Sequence, residues 1–157
     1  MRFGKKANKR RQEKNPLGLE MSEETGPVFL TSRNTALNLS MDFIDLGHIF
    51  IALRQHLVQM DAFLVHHNLD PDALQRGIEQ GLEPYAVEIT DIPENLYLTK
   101  VTEKVWNEAN QWAIENGDTM LFPEHMLMGI FLVESPLQQE LIARGLSQEK
   151  VEAFFFS

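Results

Sequence analysis

Two stretches of this chain, 77 positions apart, repeat one another. His125-Met126-Leu127-Met128-Gly129-Ile130 falls on His48-Ile49-Phe50-Ile51-Ala52-Leu53. Without a gap, Leu141 then falls on Leu64, Leu146 on Leu69 and Val151 on Leu74. A duplicated unit of this size cannot bury its apolar face alone, so the two copies are expected to share a core. Superposed halves would bury Leu53, Leu64, Leu74, Ile130, Leu141 and Val151 at equivalent positions.

Each copy reads as helix. From Phe122, Pro123 fits the first helical turn, where its missing N–H has no intrahelical partner. Met126, Leu127, Ile130, Phe131 and Val133 follow as a broad apolar face. Ser135-Pro136-Leu137-Gln138 is a capping-box pattern that restarts the chain, and Gly145 ends that helix. In the first half, Thr31 or Ser32 is a cap for a short first helix. Helices are expected over 45–56 and 59–68, and Asp70-Pro71 opens a fourth that Gly81 closes. Residues 82–97 form the joint, with Pro84 and Pro93 as breakers; a brief extended segment fits there, but no second strand is evident to pair with it. In the second half Val101, Val105, Ala109, Trp112 and Ala113 share a helix face that stops at Asn116-Gly117. A last helix after Ser147 carries Val151, Phe154 and Phe155. The expectation is an all-α fold, a tandem pair of pseudo-twofold four-helix repeats. Its divisions are residues 1–27 as a disordered basic arm and linker, 28–81 as a shortened first repeat, 82–97 as the joint and 98–157 as the second repeat.

Charge narrows the partners. Residues 1–14 hold seven of the fourteen basic residues and one acid, Glu13, so the remainder carries seven basic against twenty-two acidic residues. A body of that sign repels nucleic acid and attracts basic peptides. Lys5, Lys6, Lys9, Arg10 and Arg11 read as a phosphate or membrane-surface contact or as a solvated tail. The chain has no cysteine, which excludes a disulfide framework and thiolate chemistry and makes a cytoplasmic setting the default expectation. Its strongest apolar run, 126–133, is far short of the roughly 20 residues that span a bilayer.

Catalytic signatures are absent. There is no GxxxxGK[ST] phosphate loop, no HExxH and no zinc-type Cys/His cluster. His66 and His67, adjacent on a helix, point apart and do not chelate one ion together. His48 and His125 read either as ligands or acid–base groups, or as helix-start histidines that bond a neighbouring loop; their repetition favours the second. Trp112 belongs to a core face, whereas Trp106 is expected to be partly exposed. No nucleophile, base and orienter come together, so no enzyme, cofactor or metal site is expected.

These features resemble the N-terminal double domain of the Clp ATP-dependent unfoldases, a tandem of two helical repeats. The second half fits through Leu98-Thr99, then Glu124-His125-Met126-Leu127-Met128-Gly129-Ile130, then Leu141-Ile142-Ala143-Arg144-Gly145-Leu146-Ser147. The first half departs. From Leu30-Thr31 to His48 it is nine residues shorter than from Leu98-Thr99 to His125, and Gly47 stands where the family has Glu. A rival alignment through Leu46-Gly47-His48 places the deletion later.

The resemblance implies a non-catalytic module that recruits adaptors or substrates in protein quality control or regulated proteolysis, here expected to stand free of the ATPase ring. In the ClpC branch, the Thr opening each repeat and the Glu before the His help to receive a phosphorylated arginine. By motif this implies a peptide- or phosphoarginine-binding site at Thr99, Glu124 and Thr31. A carboxylate suits the guanidinium fork, and a helix N-terminus with a hydroxyl suits the phosphate. Helix capping by Thr99 and a first-turn acid at Glu124 by themselves explain both residues, and that reading is the favoured one. The alternative function is a small helical nucleic-acid-associated protein acting through the basic arm.

Overall fold

The structure, a computed structural model, describes residues 19–157. Among the described residues are eight α-helices, four in each half, with four two-residue strands. The first half runs β1 (Glu20–Met21), α1 (Thr25–Asn38), β2 (Phe43–Ile44), α2 (Leu46–His56), α3 (Met60–His66) and α4 (Pro71–Leu82). A 3-10 turn, Glu83–Tyr85, leads into the joint. The second half runs β3 (Tyr97–Leu98), α5 (Lys100–Glu115), β4 (Met120–Leu121), α6 (Pro123–Leu132), α7 (Pro136–Ala143) and α8 (Gln148–Phe155). The expected all-α tandem of four-helix halves is what the chain forms.

The 77-residue offset extends further than the apolar match alone indicates. It carries β1 onto β3 and β2 onto β4 without a gap. It also carries the left-handed residues onto one another: Ser40 (φ 62°) onto Gly117 (φ 81°), and Asn68 (φ 64°) onto Gly145 (φ 98°). Asn is the residue that best replaces glycine in that conformation after a helix. The first half is therefore not shortened. Its counterpart of Leu98-Thr99 is Met21-Ser22, nine residues before Leu30-Thr31, which lies inside α1.

The boundary expected after residue 27 also moves. Leu19 is fully buried, β1 begins at Glu20, and Gly26-Pro27 lie in the first turn of α1, where a proline removes no helical bond. The basic run within residues 1–14 lies outside the described residues. The apolar period of α1 was obscured because two of its four buried residues are polar. Ser32 donates its hydroxyl to Val28 O at 2.7 Å and Thr25 to Leu121 O at 2.7 Å, so both enter the core satisfied.

Strand pairing, not expected at the joint, links the halves. β1 runs parallel to β4 with Glu20 opposite Met120, and β2 runs parallel to β3 with Phe43 opposite Tyr97. Each pair joins the two copies, so the strands exchange about the pseudo-dyad. Behind them α1 packs on α2, α5 on α6, and α2 meets α6 at the centre. Leu53, Leu64, Leu74, Ile130, Leu141 and Val151 are all buried in one continuous core. The α5–α6 approach is close: a Cβ on Gly129 would lie 2.7 Å from Val105 O and 2.9 Å from Ala109 Cβ. In the first half Arg54 ties three helices together, bonding Asp61 at 2.8 Å, Asp72 at 3.0 Å and Gln75 at 2.7 Å.

Candidate functional site

Strand exchange places the start of each half against the second helix of the other. Ser22 N–H donates to Leu121 O at 2.9 Å, and at the equivalent position Thr99 N–H donates to Ile44 O at 3.0 Å. The hydroxyls repeat the symmetry, with Ser22 and Thr25 oxygens 2.8 Å apart and Thr99 and Thr102 oxygens 2.8 Å apart. Thr99 donates to Asp45 Oδ1 at 2.8 Å, so the Thr102 hydroxyl donates to Thr99. Thr99 also caps α5 by accepting Thr102 N–H.

The two repeated histidines are structural, as their repetition suggested. His48 Nδ1 accepts Asp45 N–H at 2.9 Å, and His125 Nδ1 accepts Phe122 N–H at 2.8 Å. With Nδ1 an acceptor, the ring proton of the neutral imidazole sits on Nε2. That N–H faces Met41 Sδ at 3.2 Å in the first half and Asp118 Oδ2 at 2.9 Å in the second. Burial lowers the His48 pKa to about 4, against a smaller opposing pull from Asp45. Burial also lowers that of His125, opposed by the hydrogen bond to Asp118.

Of the three expected site residues, Thr99 lines the groove described below, and Thr31 and Glu124 do not. Thr31 bonds His56 Nε2 at 2.6 Å and ties α1 to α2. Thr99 stands beside Asp45 and Gly47 on the β2–β3 side. Glu124, in the first turn of α6, follows β4 and therefore belongs with β1 and Ser22. The position equivalent to Glu124 in the first half, Gly47, is covered. A Cβ there would meet Leu82 Cδ1 at 2.9 Å and Ile78 Cγ2 at 3.0 Å, so α4 occupies the space a longer residue would need.

The prominent concavity opens on the Thr99 side. A groove of about 760 Å³ lies between α4 of the first half and α7 of the second, with the β2–β3 junction at its end. Its floor is apolar, formed by Leu46, Leu74, Ile78, Leu82, Val101 and Leu137. Its polar edge holds Asp45, Thr99 and the Glu140–Arg144 ion pair, whose Nε–Oε1 distance is 2.7 Å. The dyad-related cleft, between α8 and α3, is filled. Phe154 packs edge-on and Phe155 tilted against Phe63, each with ring centroids 5.3 Å apart. The cause is two substitutions between the copies: Gly77 replaces Phe154, and Glu140 replaces Phe63. A groove between the two halves is the expected place for docking, but the sequence reading does not locate its residues because a helical glycine carries no periodic signal; aligning Gly77 with Phe154 across the repeat would have located them.

Among the described residues, no cluster of three His, Cys, Asp or Glu could hold a metal, and no helix is long and apolar enough to cross a membrane. Trp106 is half-buried, as expected, with its ring tilted against Phe29 at a centroid distance of 4.1 Å.

Comparison with known proteins gives a consistent picture. The family described as the Clp repeat (R) N-terminal domain matches residues 20–142, beginning at β1. No curated protein matches the chain. Among solved structures, the Hsp104 N-terminal domain from Candida albicans is similar with a TM-score of 0.69 at 12% identity, over 85% of this chain and 87% of that one. The N-domain of ClpV from Vibrio cholerae gives 0.67 at 11% identity, over 87% and 82%. The N-terminal domain of the chaperone ClpD from Arabidopsis thaliana gives 0.58 at 17% identity, over 85% and 93%. At these identities the structural likeness speaks for the fold.

Proposed function

The chain belongs to the family of Clp repeat N-terminal domains, and on that premise we propose that it is a non-catalytic docking module for a protein partner. The partner is an adaptor, a substrate or a Clp-type machine in protein quality control or regulated proteolysis, and it binds in the groove between α4 and α7. One observation carries this: of two clefts related by the internal repeat, one is filled by the chain's own aromatic residues and the other stands open with an apolar floor. An unfilled apolar concavity with a few polar groups at its edge is what a recognition site requires. The nucleic-acid alternative gains no support from the described residues, whose twenty-two acids outnumber seven bases.

A photo-crosslinking residue placed at Leu137, in the groove, tests the proposal against the same residue at Val58. Val58 is the repeat equivalent of Ser135 on the filled side and is 95% exposed. Capture of a discrete partner from Leu137 and not from Val58 is expected. Equal capture from both positions removes the groove from the proposal.

A further inference from the structure

The filled cleft shows what the open one lacks. On the α8 side, the ring of Phe154 occupies the space between two helices and packs edge-on against Phe63. On the α4 side the same backbone position is Gly77, whose helix lies across from α7 as α8 lies across from α3. Nothing stands within 4 Å of a Cβ built on Gly77 except Arg144 Nη2, at 4.0 Å, and nothing at all stands within 4 Å of one built on Gly81. Two missing side chains on one helix face thus leave room for a ring supplied from outside. Such a ring would rest on Leu74, Ile78 and Leu137, with the Arg144 guanidinium beside it, an arrangement that adds a cation–π contribution to apolar burial.

Charge complements shape. Arg144 is already paired with Glu140, so Asp45 leaves the groove edge net negative, and the described chain around it has fifteen more acids than bases. A field of that sign draws in cationic segments and slows acidic ones.

We propose that the groove is selective for a partner segment that presents an aromatic anchor, Phe, Tyr or Trp, flanked by Lys or Arg. This rests on the groove being the docking site. The ring takes the place that Phe154 holds in the other half, and the flanking cations lie along the acidic edge.

Three labelled peptides test it by fluorescence anisotropy against the full chain: one Phe between Lys/Arg flanks, the same peptide with Leu for Phe, and the same with Glu flanks. Gly77→Phe fills the groove from within, as Phe154 fills its counterpart. Gly81→Phe is a second blocking variant, and circular dichroism with a thermal melt confirms that each is folded. The Phe peptide with basic flanks is expected to bind, the Leu peptide on the order of tenfold more weakly, the Glu-flanked peptide not measurably, and both blocking variants to lose binding. If the native chain binds none of the peptides, or binds Phe and Leu or basic and acidic peptides alike while the blocking variants lose that binding, the selectivity is overturned and the docking site stands. If folded Gly77→Phe and Gly81→Phe bind as the native chain does and keep the Leu137 crosslink, the groove itself is overturned.

Discussion

Thr99 Oγ1 donates to Asp45 Oδ1 at 2.8 Å, joining the residue that opens the second half to the residue that caps the second helix of the first. Fifty-four positions separate them, and the bond exists only because the strands are exchanged between copies. Thr99→Val removes this bond and the cap on α5 while preserving shape. It is expected to destabilise the chain by about 1–3 kcal/mol, and Thr99→Ser by much less. Urea unfolding of the three proteins measures it; equal stabilities would mean that the bond contributes nothing.

Where the first half begins is open to a direct test by truncation. A chain starting at Leu19 retains β1, the Leu19 N–H bond to Asn110 Oδ1 at 2.8 Å and the Thr25–Leu121 bond. A chain starting at Val28, the boundary read from the sequence, loses all of them along with a buried leucine. The first is expected to melt close to the full chain. The second is expected to melt at least about 10 °C lower, from the loss of a few kcal/mol in a chain of this size. Similar melting temperatures for the two truncations would restore the later boundary.

The buried histidines make stability depend on pH. The unfolded chain binds a proton on His48 near pH 6.5, whereas the folded chain resists doing so until about pH 4. The contribution is therefore fully present above pH 6.5 and is lost as pH falls toward 4, up to roughly 3 kcal/mol at the low end. His125 acts in the same direction, moderated by Asp118. Urea unfolding between pH 7 and 4.5 should show a steeper decline for the native protein than for His48→Gln. Parallel declines would show that His48 is not held neutral.

Two core substitutions probe opposite kinds of misfit. Leu141→Ala leaves a cavity at a fully buried position and should cost about 2–5 kcal/mol. Gly129→Ala adds a methyl group where Val105 O is 2.7 Å away, and overpacking of that kind costs about 1–3 kcal/mol. Chemical denaturation checks both. An unchanged Gly129→Ala protein would mean that α5 and α6 separate easily.

Glu124→Ala separates the groove from the α6 end of the molecule. Glu124 follows β4 on the Ser22 side and is not part of the groove lining. Peptide binding in the groove should be unchanged in this variant, and a loss of binding would relocate the docking site to the α6 N-terminus.

The sequence alone determined the number and order of the helices, their caps at Asp70, Thr99, Ser135 and Ser147, and the pairing of His48 with His125 across the repeat. These are local properties: apolar period, a capping side chain and a left-handed residue act within a few positions, so they can be read in order along the chain. The tertiary structure decided what depends on distant partners. Two-residue strands have no period to detect, and they pair only because two folded halves present matching edges. Helix α1 was misplaced because Thr25 and Ser32 enter the core through bonds to backbone carbonyls that a hydropathy pattern does not register. The assignment of Thr99 to Asp45 rather than to Glu124, and of an open groove to Gly77 rather than to Phe154, follows from which copy faces which. That choice is set by the summed packing of the halves about their pseudo-dyad, a quantity no single segment carries.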